Sequence, residues 1–314
     1  MSETPPPAVR PAISAVEAAQ QAFEHTRRLL FPFRFERWLA LGFVSFLDQC
    51  GRGGGAPQFH VPTSPSGSDR GSRSADFAPI MDWVGSHALL IAAVAAVVLA
   101  AIVVLTALVL WLSSRGIFMY IDDVATGRDD VARPWREHKD RANSLFAFRF
   151  ILGLATLLGV LLLVALGGAL LIGTWKGRIG GPAAIATALL VLLPLLLLQI
   201  VASGLLSVAL RDFVAPLQWQ LGTSCLEAFK VLVRLVKAHP GTFGIYLLLK
   251  IGFSIASAVL VLVAGCLTCC CAFLPVVTQT LLQPLFFFER SWSLCILRQL
   301  GHDVLRSDEG AQLS

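Results

Sequence analysis

The chain has 314 residues, 56% of them hydrophobic and only 14% charged, with a mean hydropathy of +0.73. Soluble domains carry roughly a quarter charged residues, so an ordinary soluble globular fold is excluded and a second folded soluble domain has no room. The net charge of +5 does not point to nucleic acid, because the basic residues sit at the ends of apolar runs and in short loops, where membrane topology accounts for them.

Residues 1–12 are Pro-rich and read as a disordered N-terminus. The opening MSETPPPAVRPAISAVEAAQ has no apolar h-region, so it is not read as a cleavable signal, and insertion is expected to use internal spans. Residues 13–30 read as an amphipathic helix with Ile13, Val16, Ala19, Phe23 and Leu30 near one face. Two readings stand for it: a helix lying in the membrane interface, or a helix packed on the bundle.

The uninterrupted apolar run from Trp38 to Leu47 is about half of the ~20 residues a span needs. A tilted helix from Leu29 to Asp48 is expected to cross if Arg34 and Arg37 snorkel; a half-inserted helix is the rival. Residues 49–82, rich in Gly, Ser and Pro, read as a flexible loop. GRGGG (51–55) lacks the Lys-Ser/Thr of a phosphate-binding loop and reads as linker. Five clear apolar runs follow, at 85–112, 146–173, 183–210, 243–266 and 269–288, and none contains Asp or Glu. Trp83, Trp111 and Trp175 mark span ends, and kinks are expected at Pro194, Pro275 and Pro284.

The expectation is therefore an all-α, polytopic helical membrane bundle of about six transmembrane helices, a single domain over 13–301 with a polar tail at 302–314. With six crossings, 18 Lys and Arg fall on one side and 5 on the other, with Arg149 and Lys250 inside spans. If the first short helix does not cross, the split weakens to 13 against 10. An excess of basic residues marks the cytoplasmic side, which places both termini in the cytoplasm.

Candidate chemistry is sparse. Cys266 and Cys269, within Cys266-Leu-Thr-Cys269-Cys270-Cys271, have a spacing used in metal and redox sites. No His or second CxxC accompanies them, so packing or a disulfide is preferred and no metal or cofactor is assigned. Loop 113–145 holds Asp122, Asp123, Asp129, Asp130, Glu137, Asp140 and His138. Its acids and bases balance, so it reads as a salt-bridged cytoplasmic loop rather than an oxygen-ligand metal site. Gly127 is expected to end a helix. Intramembrane charge is by default a functional hypothesis, which makes Lys250 and Arg149 candidate substrate-binding residues, with Asp212 and Gln199. The alternatives are snorkelling for the cations, a local pair of Arg211 with Asp212, and helix–helix bonding for Gln199. Residues 221–238 read as a basic helix with Leu221, Cys225, Phe229, Leu232 and Val236 on one face, either touching anionic lipid or extending the bundle. No hydrolase, zincin or nucleotide-loop motif stands in a suitable context.

Three stretches, AFEHTRRLLFPFRFERWLALGF, RGIFMYIDDVATGR with the following RPWREH, and LPVVTQTLLQPLFFFERSWSLCILRQLG, resemble a group of uncharacterised bacterial multi-pass membrane proteins. More loosely, they resemble the membrane domain attached to glycerophosphoryl diester phosphodiesterases. The resemblance covers Val16 to Gly301 and implies a six-span membrane domain. It supplies no catalytic residues, because this sequence has no counterpart of the phosphodiesterase barrel.

The functional expectation is a non-enzymatic scaffold or accessory module of a bacterial inner membrane. Its partners would be the lipid bilayer and another membrane or cytoplasmic protein, reached through 113–145 and 221–238. A transporter or channel lined by Lys250, Gln199 and Ser203 is the first alternative. A lipid-head-group enzyme using the acids of 122–140 or Asp212 with His138 is the second.

Overall fold

The computed structural model describes residues 13–50, 86–128, 131–175, 181–268 and 276–305, and the secondary structure among them is helical. The Pro-rich start, most of the 49–82 loop, Asp129, Asp130, Cys269, Cys270, Cys271, Pro275 and the tail beyond 305 lie outside the described residues.

In chain order the helices are α1 (Ala15–Leu30), α2 (Phe35–Gln49), α3 (Ala88–Thr126), α4 (Ala132–Glu137), α5 (Lys139–Trp175) and α6 (Gly181–Ala209). A π-helical turn, Leu210–Val214, joins α6 to α7 (Ala215–Leu221). There follow α8 (Cys225–Ala238), α9 (Pro240–Leu267), α10 (Val277–Leu281) and α11 (Gln283–Gln299).

Four helical runs are long and apolar enough to cross a membrane: Ala88–Thr126, Lys139–Leu170, Leu190–Leu221 and Pro240–Leu267. Six crossings do not emerge clearly. Helix α2 has 15 residues, short of the ~20 that span a bilayer. The described part of the expected last crossing is two helices separated at Leu282, and Pro284 sits in the first turn of α11 rather than inside a span. Helix α6, by contrast, continues through Pro194.

Burial divides α3 in two. In α3 the first half is exposed, with Leu89 at 86%, whereas Ser113, Ser114 and Gly116–Ala125 are buried. Such side chains lose nothing by facing lipid, and helices satisfy their own backbone polar groups there. The inner ends of α3, α5, α7, α8, α9 and α11 gather, with α1 and α2, around one core containing Tyr120, Leu145, Phe213, Tyr246, Phe287 and Trp292.

The stretch expected as a polar loop, 113–145, is mostly helix. Helix α3 runs unbroken to Thr126 and stops at Gly127, whose φ of 69° requires the left-handed conformation glycine adopts without strain. Apolar residues Ile117–Ile121 between the charges give this segment a place in the core, which is why it is not a solvated loop.

Helix α1 starts at Ser14, whose hydroxyl accepts from the Glu17 N–H, and packs along α11. The Trp292 indole donates to the Ala15 carbonyl at 2.9 Å, and the Ser14 N–H donates to Gln299 Oε1 at 3.0 Å. The buried face is Ala15, Ala18, Ala22, Thr26 and Leu30. Val16 and Phe23, expected on the same face as Leu30, point outward at 54% and 62% exposure. Small residues permit close helix approach, so the alanine stripe wins the core.

Candidate functional site

Six charged side chains from four separated parts of the chain meet inside this core. Asp48 ends α2, Arg211 and Asp212 lie in the π turn, Lys250 is on α9, and Glu289 and Arg290 are adjacent on α11; none is more than 8% exposed. Arg211 and Asp212 are adjacent in the π turn, as Glu289 and Arg290 are on α11. The π turn accommodates an extra residue, and all five of Leu210–Val214 are buried. Such turns recur at functional sites.

Arg211 grips Asp48 with Nε, 3.2 Å from Oδ1, and with Nη2 on Oδ2. Arg290 Nη2 donates to the same Asp48 Oδ1 at 2.6 Å, and its Nη1 donates to the Arg211 carbonyl at 2.7 Å. Arg211 Nη1 reaches Glu289 Oε1 at 3.4 Å. Lys250 Nζ lies 2.7 Å from Asp212 Oδ2 and 2.8 Å from Glu289 Oε1. The Tyr246 hydroxyl donates to Asp212 Oδ2 at 2.9 Å. Three cations thus face three carboxylates, so the ionised cluster is formally neutral. Neutrality and dense hydrogen bonding are what permit ions in a low-dielectric interior. Tyr120 closes one side, its ring 5.9 Å from the Arg290 guanidinium and its hydroxyl 3.3 Å from Gln283 Nε2.

Of the residues singled out from sequence, Lys250 and Asp212 come together directly. Lys250 does not snorkel: it is 3% exposed and held by two carboxylates. Arg211 and Asp212 are members of the larger cluster rather than an isolated local pair. Arg149 does not join it. Its Nη1 bonds Ser113 and Ser114 hydroxyls at 3.3 and 3.4 Å, and Ser113 in turn donates to the Asp48 carbonyl at 3.2 Å. Gln199 donates to the Thr156 carbonyl at 2.7 Å, tying α6 to α5. Ser203 and Ser207 bond carbonyls of their own helix. Cys266 is exposed, while Cys269 lies outside the described residues. Among the described residues no group of three His, Cys, Asp or Glu side chains converges as a metal site does.

A second polar cluster forms around His138. Asp122 takes Arg133 at 2.7 Å and lies 3.6 Å from His138 Nε2. The Trp219 indole donates to that Nε2 at 3.2 Å, and Arg141 Nη1 holds the Trp219 carbonyl at 3.1 Å. The other ring nitrogen, Nδ1, lies 3.3 Å from Arg141 Nη1. Asp212 binds Lys250, not His138, so the two clusters are chemically separate.

Asp48, Glu289 and Arg290 had not been singled out. The only sequence signal for them is that Asp48 closes an apolar run and that Glu289-Arg290 interrupts FFF and W in FFFERSW.

Residues 13–300 match a family of unknown function, DUF7544. The chain belongs to this family. The match covers every element of the charged cluster, from Asp48 to Arg290, and provides no link to glycerophosphoryl diester phosphodiesterases. No curated protein and no solved structure matches the chain.

Proposed function

We propose that this member of the family is a non-enzymatic membrane module that scaffolds a protein partner or lipid assembly. In this reading it crosses a bacterial inner membrane six times, with α2 and the segment leading into α11 as the additional crossings and both termini in the cytoplasm. The observation that carries the reading is the mutual pairing of the buried charges. The cluster's carboxylates and cations engage one another, which suits a clamp joining four chain segments. Among the exposed charges is a basic group on α8. That helix begins with a capping box, Ser224 with Glu227, and buries Cys225, Ala228 and Leu232. Lys230, Arg234 and Lys237 stay exposed on its other side, beside Leu226 at 52% exposure. This arrangement is suited to an acidic partner surface or anionic headgroups.

The test is affinity purification of the full chain with Lys230→Glu, Arg234→Glu and Lys237→Glu combined. Loss of co-purifying protein and lipid is expected. An unchanged set of partners from a folded variant would overturn the reading.

One observation favours a second reading, transport of a small solute or ion: the Lys250–Asp212 pair sits in apolar helices beside a π turn. Flux into liposomes containing the full chain, abolished by Lys250→Met but retained by Lys250→Arg, would establish it.

A further inference from the structure

Two apolar grooves flank the junction of α1 and α2. The first, of about 620 Å³, is lined by Phe23, Arg27, Phe31, Leu260, Leu285 and Phe288, among others. The second, of about 410 Å³, is lined by Phe33, Phe35, Trp38 and Val277, and Leu281 borders both. These volumes are within the roughly 300–1,000 Å³ of ordinary ligand sites. Neither groove is lined by a member of the buried charged cluster.

We propose that these grooves hold the two acyl chains of one anionic phospholipid, with its phosphate held by Arg27 and Arg34. The occupant follows from three observations. Leu260 belongs to the membrane-spanning helix α9 and is 44% exposed, so the first groove opens from a surface that already meets lipid. The walls are apolar, and Phe23, Phe31, Phe33 and Phe35 are each more than half exposed, which suits hydrocarbon. Arg27, which lines the first groove, and Arg34, between Phe33 and the Phe35 of the second groove's wall, are exposed and form no ion pair among the described residues; Glu24 and Glu36 pair with neither. A guanidinium fork without a carboxylate partner matches a phosphate diester in charge and geometry. The two grooves lie side by side around Leu281, which places two chains beside a single headgroup. The proposal requires a membrane setting but not the scaffold reading.

The test uses the full chain in nanodiscs of phosphatidylglycerol or phosphatidylcholine, followed by release into detergent and native mass spectrometry of retained lipid. One tightly held phosphatidylglycerol and no retained phosphatidylcholine are expected. The Arg27→Gln/Arg34→Gln variant should release phosphatidylglycerol about fivefold more readily for each arginine removed. Leu281→Trp, an exposed position where the indole would block both grooves, should abolish retention of either lipid. Brominated phosphatidylglycerol should quench Trp38, read as the difference from Trp38→Phe. Equal retention of the two lipids, or retention indifferent to Arg27→Gln/Arg34→Gln, would reduce the site to ordinary lipid solvation. Retention unaffected by Leu281→Trp would place the lipid elsewhere. Either result overturns the proposal, and a failure of the α8 variants above leaves it standing.

Discussion

Lys250 donates to Asp212 across 2.7 Å in the interior of the protein, although 38 residues separate them. Breaking one partner out of a buried ion pair typically costs about 3–5 kcal/mol, because the other charge is left uncompensated. Lys250→Met removes the cation nearest to both Asp212 and Glu289, so a loss of up to about that size is expected in detergent-solubilised protein. Thermal unfolding of Lys250→Met, Asp212→Asn and the double variant measures it. A double variant no better than the sum of the singles would show that the two residues are not coupled.

Helices α2 and α3 approach closely at Gly116. A Cβ there would stand 2.5 Å from the Leu47 carbonyl carbon and 2.6 Å from the Asp48 nitrogen, which are backbone atoms that cannot swing aside. Gly116→Ala is expected to destabilise by about 1–3 kcal/mol and to displace Asp48 from its arginines. Gly153 is the control, since nothing lies within 4 Å of its added Cβ. Gly153→Ala should stabilise by up to about 1 kcal/mol through helix propensity. Equal midpoints for the two variants would refute the contact.

His25 carries a pH prediction. Burial holds its pKa below the ordinary 6.5, opposed in part by its bond to the Val124 carbonyl at 2.9 Å, while Arg28 and Arg298 add to the lowering. The unfolded chain therefore binds the proton more readily than the folded one. Its contribution is complete above about pH 6.5 and is lost as the pH falls toward the folded-state value. A plot of Tm against pH should decline below that point, and His25→Gln should flatten it. His302 is also lowered by burial, so the informative quantity is the difference between wild type and His25→Gln.

Cys225 and Cys295 are buried, and burial pushes their thiols up to about 12 and about 11. The thiolate is the reactive species, so a chain retaining only these two cysteines should resist maleimide at neutral pH until it is denatured. A chain retaining only Cys266, which is exposed, should label while folded. In sealed vesicles its sidedness reports the orientation of α9.

What could be read from sequence was local. The runs 85–112, 146–173, 183–210 and 243–266 are apolar enough that no fold in water accommodates them, and all four reappear in the helices that qualify as spans. Gly127 ended a helix as its residue type implied, whereas the basic helix expected over 221–238 starts only at Cys225, because Gly222 ends α7 at Leu221 and Ser224 caps a new helix. The buried cluster was only half visible. Lys250 stood out because an apolar run surrounds it, whereas Asp48 and Glu289-Arg290 sit at run ends, where charges ordinarily meet water. Their burial depends on contacts between residues up to 242 apart in the chain, and no periodicity encodes such contacts. The π turn was equally invisible, since an inserted residue leaves no compositional mark. Segment 113–145 is mostly helix rather than loop because the Ile117–Ile121 run between its charges belongs to the core.

The cluster also sets an order of events during synthesis. Asp48 emerges 163 residues before Arg211 and 242 before Arg290. At about 5–20 residues per second, the wait for Arg290 is on the order of 10–50 s. Over that interval Asp48 needs water or the insertion machinery as a temporary partner, and Lys250 must await Glu289. Helix α11 therefore acts as a clasp fastened last. Until α11 is in place, Asp48 lacks Arg290 and Lys250 lacks Glu289.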